Sequence, residues 1–151
     1  MTDIGELHLR RSILIAATTE RVWQEFESFD RILGWFNRGH EVHALEPVVG
    51  GRVDMSIDGP SGHERLHFQG NVLSLAPRRE LTFDTNFVDE PMVAPTLWTF
   101  QLTGHPAGTL VEFFHHGYEA FGIDAADYLE DFERAWDLKH LSALRQIVEA
   151  H

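Results

Sequence analysis

Cysteine is absent from this 151-residue chain. That excludes a disulfide framework and any thiolate chemistry, and the expected setting is a reducing cytoplasm. Positive charge is scarce too: 12 lysines and arginines stand against 24 aspartates and glutamates, for a formal net charge of −12. A field of that sign repels nucleic acid and anionic membranes, so neither is an expected partner. Lys139 is the only lysine in the sequence. Long apolar runs are missing: no stretch approaches the ~20 residues of a membrane span, and Met1–Leu7 carries no apolar signal-peptide core. No internal repeat or low-complexity tract interrupts the chain. What is present is 43% apolar residues, 11% of the chain being aromatic. Such a composition suits one globular domain over residues 1–151, with a single sizeable core.

The order of elements follows from periodicity. Leu7, Leu9, Ile13 and Ile15 share one strand phase, which Arg11 interrupts as an edge or a bend would. Thr18-Thr19-Glu20-Arg21 opens a helix, with a threonine cap and an acid in the first turn. Asp30–Trp35 makes a second short helix. Glu41–Pro47 is a short broken strand, and Gly50-Gly51 turns the chain. Val53, Met55 and Ile57 alternate with polar residues, as do Trp98, Phe100 and Leu102; Leu66, Phe68, Val72, Leu81 and Phe83 carry the strands between. Gly104–Gly108 leads into a last strand, Thr109–His115. Short strands joined by tight turns favour an antiparallel meander and an α+β fold. From Asp124, an expected N-cap, the chain reads as one long helix. Tyr128, Leu129, Phe132, Ala135, Trp136, Ala143 and Ile147 form one apolar stripe, and Leu138, Leu141, Leu144 and Val148 a second arc.

Five short motifs recur in this order with a family's spacing. They are Ile15–Trp23 with its Glu20-Arg21-Val22-Trp23, Leu33-Gly34-Trp35-Phe36, Val49-Gly50-Gly51-Arg52, Gly70-Asn71-Val72 followed by Pro77–Leu81, and Gly108-Thr109-Leu110-Val111. The chain thereby resembles the START-like (SRPBCC, helix-grip) superfamily. Its nearest likeness there is the family named for the C-terminal domain of the Aha-type activator of the Hsp-90 ATPase. It departs from that pattern at Thr18-Thr19, where the family usually has a proline, and at Ala135-Trp136, where it tends to have Gly-Trp. The resemblance implies a curved antiparallel sheet of about six or seven strands wrapped around a long C-terminal helix, with two short helices after the first strand. It implies no single activity, because the family's motifs specify turns and packing rather than chemistry.

A sheet curling over a helix encloses a cleft whose inward face decides what binds. On the strands the inward apolar phase holds Met55, Phe68, Phe83, Trp98, Phe100 and Phe113, and the last helix adds Trp136. Bulky π faces of this kind suit an aromatic or other flat apolar ligand, with polar side chains to orient it. Lys139 and His140 fall within the helix stripe, and His115 shares the phase of Val111 and Phe113. Lys139 would pair with a ligand carboxylate, and His115 is the candidate acid or base.

Ten histidines raise the question of a metal, and their spacing argues against one. His63 and His67 stand four apart on a strand, ~13 Å along it; His115 and His116 point to opposite faces; His40 and His43 straddle a turn with no third ligand nearby. Gly59-Pro60-Ser61-Gly62 is no nucleophile elbow, and no phosphate loop or dinucleotide fingerprint is present, so no cofactor is expected. Six acids and one arginine in Asp124–Asp137 read as a solvated helix face or a landing site for a basic partner.

The leading expectation is a cytoplasmic protein that binds an apolar or aromatic small molecule. A cyclase- or hydrolase-like enzyme using the same cleft is the alternative by chemistry. A co-chaperone-like binder of an Hsp-90-type ATPase is the alternative implied by the resemblance. Phe114, read as exposed, or Phe87–Pro95 would support a homodimer, and Phe87–Pro95 reads equally as a lid over the cleft.

Overall fold

A computed structural model describes residues 3–38, 41–58 and 64–150. His40, His63 and the turn residues Gly59–Gly62, Ser61 among them, lie outside the described residues. The chain opens with β1 (Leu9–Ile15), α1 (Thr19–Trp23), a 3-10 turn (Gln24–Phe26) and α2 (Phe29–Phe36). Six strands follow: β2 (Glu41–Leu45), β3 (Arg52–Asp58), β4 (Arg65–Ala76), β5 (Glu80–Phe87), β6 (Thr96–His105) and β7 (Gly108–His116). A second 3-10 segment (Tyr118–Asp124) then leads to α3 (Ala125–Ala135) and α4 (Lys139–Glu149). The strands form one seven-stranded antiparallel sheet in the order β1-β7-β6-β5-β4-β3-β2.

Local chemistry explains the short helices. Thr18 Oγ1 accepts from the Arg21 amide at 3.1 Å, and Ser28 Oγ accepts from that of Arg31 at 3.2 Å. Each hydroxyl satisfies an amide that the first helical turn leaves without a partner. Asp124 caps α3 by position, without a side-chain hydrogen bond.

Two glycines let the sheet curl and close. A Cβ on Gly70 would stand 1.8 Å from the Asp84 carbonyl oxygen, so β4 and β5 approach there only because the side chain is missing. A register shift between Val72 and Ser74 adds a bulge in the same strand, bending it further. Gly108, at φ +142, would drive a Cβ to 2.0 Å from the Ile15 carbonyl oxygen. Two of the motifs carrying the resemblance thus mark places where backbones meet closely.

The concave face holds the core. Ile13, Ile15, Val53, Val72, Leu81, Leu102 and Val111 are buried there, and α2 lays Trp35 and Phe36 across them. Phe36 packs edge-on against Phe83, Trp98 and Phe100, with ring centroids 5.7–6.4 Å apart. Burying each such side chain contributes roughly 1.5–3 kcal/mol to the packing beside the cleft.

The C-terminal region differs from the expected single helix. It is helical on both sides of a break at Trp136–Leu138, where Trp136 turns extended (φ −106, ψ 133). Asp137 Oδ1 accepts from the Lys139 amide at 2.8 Å and so starts α4. A local aspartate–amide bond competes with helix continuation, and here it wins. Arg11 explains the other half of the break. Its guanidinium donates to the carbonyl oxygens of Glu133 (3.3 Å) and Trp136 (3.1 Å), covering the exposed end of α3. The residue that interrupts the apolar phase of β1 is thus a helix anchor on an edge strand.

Candidate ligand-binding cleft

Between the sheet, the end of α3 and the start of α4 lies a cleft of about 250 Å³. Half of the residues that line it are apolar: Phe68, Phe87, Trp98, Phe132 and Trp136, with Ile57 and Met92. Thr85, Asn86, Thr96, His115 and His140 supply the polar lining, and Asp58 and Lys139 also border it. The helix break directs Trp136 inward, its ring 4.7 Å from that of Phe113 and 5.0 Å from that of Trp98. Lys139 is exposed, its Nζ 3.9 Å from Asp137 Oδ2. A continuous helix would have put that lysine inside the apolar stripe.

Of the ten side chains singled out in the sequence, Phe68, Trp98, His115, Trp136, Lys139 and His140 come together around the cleft. Met55, Phe83, Phe100 and Phe113 are buried in the core beside it and do not line it. Sequence reasoning passed over Ile57, Asp58, Thr85, Asn86, Thr96 and Phe132 as lining residues, and took in Phe87 and Met92 only as part of the expected lid. A signal for several of them existed. Ile57 continues the phase of Val53 and Met55, Thr85 that of Leu81 and Phe83, and Thr96 that of Trp98 and Phe100.

His115 is fully buried, and both its ring nitrogens are engaged. Nδ1 meets the Tyr118 hydroxyl, and Nε2 lies 3.1 Å from Thr96 Oγ1. Burial pushes its pKa down to about 3, with His116 adding repulsion. The imidazole is therefore neutral at ordinary pH, as burial without a counter-charge demands. Tyr118 is held protonated in turn: burial raises its pKa, and Glu133 raises it further. His140, packed against Phe36 and Trp136, is pushed down to about 4, chiefly by burial. These two cleft-lining histidines therefore carry no charge at neutral pH.

Asn86 fixes the loop at the cleft's rim. Its Oδ1 accepts from the amides of Phe87 (2.8 Å) and Met92 (2.9 Å), and its Nδ2 donates to the Met92 carbonyl at 3.0 Å. Met92 and Ala94 then pack on a small second cluster around Tyr118, Phe121 and Ala125. Phe114, expected to be exposed, is buried, because the His8 ring stands edge-on to it at 5.5 Å.

The convex face carries a separate polar group. Asp54 accepts from Arg52 (2.8 Å), His67 (2.6 Å) and Gln69 (3.0 Å). Burial would raise its pKa, but those hydrogen bonds win and hold the carboxyl at about 2. His43 Nε2 lies 2.8 Å from Ser56 Oγ nearby. Among the described residues no three histidines or carboxylates are grouped to hold a metal ion. Nor is any helix among them long and apolar enough to cross a membrane.

Comparison with solved structures gives the same fold. The chain is similar to protein CV1439 of Chromobacterium violaceum, with 21% identity and a TM-score of 0.64 over 94% of this chain and 97% of that one. Protein NE0264 of Nitrosomonas europaea matches with 15% identity and a TM-score of 0.70 over 99% of each chain. DynU16, described as a putative protein in the dynemicin biosynthetic locus, matches with 18% identity and a TM-score of 0.67, over 96% of this chain and 48% of that one. At such identities the likeness is one of fold. No curated protein sequence matches significantly. The profile of one family, Activator of Hsp90 ATPase homolog 1-like protein, matches residues 16–149, and the five motifs fall within or across that span. The chain belongs to that START-like family.

Proposed function

We propose that this protein binds an apolar or aromatic small molecule in the cleft between the sheet and the C-terminal helices, as a single domain in the cytoplasm. One observation carries the reading: among the described residues, five Phe and Trp rings converge on a cleft of about 250 Å³ whose polar lining is neutral apart from Asp58 and Lys139. A flat ligand entering it exchanges water for ring faces, which supplies affinity roughly in proportion to the apolar area covered. The fold family's common use for hydrophobic ligands supports the same reading. The enzyme alternative is less well supported, because the best acid–base candidate, His115, already spends both nitrogens on Tyr118 and Thr96. The chaperone reading rests on the family's description, and its test is a pull-down with an Hsp90-type ATPase at low salt.

The test of the main reading compares the native and denatured mass of the purified protein. The expected result is a discrete extra mass that the Trp98→Ala variant no longer carries. A clean apo mass, together with no change in the spectra of cleft residues on adding two-ring aromatic compounds, would overturn it.

A further inference from the structure

The cleft's walls say that its ligand is flat and apolar; its hydroxyls say more. Three polar side chains that line it are joined in one chain of hydrogen bonds. Trp98 Nε1 donates to Thr85 Oγ1 at 3.0 Å, Thr85 Oγ1 lies 3.5 Å from Thr96 Oγ1, and Thr96 Oγ1 lies 3.1 Å from His115 Nε2. The chain ends at the Tyr118 hydroxyl on His115 Nδ1.

Counting hydrogens along this chain shows how weakly that of Thr85 is held. An indole N–H can only donate, so Thr85 receives at its oxygen and keeps its own hydrogen to give. A neutral imidazole has one donor and one acceptor. If Nε2 accepts, Thr96 donates to it, and Thr85 has the Thr96 oxygen as its acceptor. If Nε2 donates, Thr96 keeps its hydrogen as well, and only one hydrogen fits between the two threonines. In either tautomer the Thr85 hydrogen is held by nothing firmer than a contact at the 3.5 Å limit of hydrogen bonding. Thr85 is only 4% exposed and Thr96 2%, so that hydrogen meets little water outside the cleft, and an oxygen on a ligand in the cleft would accept it.

We propose that Thr85, seconded by Thr96, is the specificity-determining pair of the cleft, and that the ligand is an uncharged aromatic compound whose carbonyl or hydroxyl oxygen accepts from it. This rests on the reading of the cleft as a ligand site and narrows its ligand class. A carboxylate is disfavoured at this end, because it would leave water for a place with hydroxyls and, among the described residues, no cationic group facing it. Lys139, the cleft's cation, stands at the exposed start of α4. Trp98 places the pair by fixing which lone pair of Thr85 is used, so the remaining donor direction is set by the sheet rather than by a free rotor.

The test titrates the intact protein, followed by backbone amide NMR, with three probes of one shape: 2-naphthol, 2-methylnaphthalene and 2-naphthoate. The expected order is naphthol first, tighter than methylnaphthalene by about threefold to tenfold, as one net hydrogen bond gives. Thr85→Val, which keeps the shape and removes the hydroxyl, should bring the two to equal affinity, and Thr85→Ser should restore the preference. If Thr85→Val loses its dispersed spectrum, the Thr85→Ser and Thr96→Val variants carry the test, the first keeping the preference and the second reducing it. Equal binding of naphthol and methylnaphthalene to the unaltered protein would overturn the inference and leave the cleft reading intact. Tightest binding of naphthoate would overturn it in favour of Lys139. If none of the three shifts a cleft resonance, the cleft reading itself fails.

Discussion

Two buried titratable groups, one on each face of the sheet, solve the same problem in opposite ways. On the concave face His115 is surrounded by Trp98, Phe132 and Trp136 and meets only hydroxyls, so it stays neutral. On the convex face Asp54 is 5% exposed, yet it stays ionised because Arg52, His67 and Gln69 all donate to it. Burial alone does not decide charge; the partners do. A neutral, apolar lining offers little penalty to an uncharged guest, whereas both oxygens of the convex carboxylate are already engaged.

The largest expected effect comes from emptying the concave side. Trp98→Ala removes the ring that touches Phe36, Phe68, Phe83, Phe113, His115 and Trp136, and should cost about 3–5 kcal/mol in urea unfolding. Acid should separate these two groups. His115 falls from 6.5 unfolded to about 3 folded, so its neutral form favours the fold. Its contribution is complete above pH 6.5 and is lost as pH drops from there through 3. His140, at about 4, acts in the same direction over pH 6.5 to 4. Asp54 is depressed from 3.8 to about 2, so its contribution is present above pH 3.8 and is lost only below that. His115→Gln should therefore flatten the stability profile between pH 6.5 and 4, and Asp54→Asn should leave the slope there unchanged. A profile that Asp54→Asn flattens in that window would refute the contrast.

At neutral pH Asp54→Asn should cost about 1–2 kcal/mol, less than the Trp98 change, because Arg52 and His67 are partly solvated and recover water when the charge goes. Arg11→Met, which keeps the aliphatic stem, should cost about 1 kcal/mol. Its mark would be faster amide exchange in α3 than in α4. Lys139→Met belongs at the bottom of the scale, within about 0.5 kcal/mol, since its partner Asp137 is itself exposed.

Much of the concave face was legible in the sequence. Strict alternation named its rings, and the motifs located the turns, because both are consequences of backbone spacing. The helix break was not, since counting 100° per residue assumes the continuity that Asp137 interrupts. Thr85 and Thr96 went unread for a different reason: a hydroxyl in an apolar phase looks like the end of a pattern, and only its neighbour across the strand pair shows that it has a role. The convex cluster was out of reach altogether. Arg52, Asp54, His67 and Gln69 are ordinary outward residues in sequence, and their convergence depends on the β3–β4 register that pairs Asp54 with Gln69.

The rarity of lysine has a practical consequence. Lys139 is the only side-chain amine in the chain, and it borders the cleft while remaining accessible to solvent. An amine-selective acylating reagent therefore has a single side-chain target, and the yield of its adduct, weighed on a peptide containing residue 139, reports how open the entrance is. A guest that fills the cleft should slow that labelling. One that lodges anywhere else on the molecule should leave it untouched.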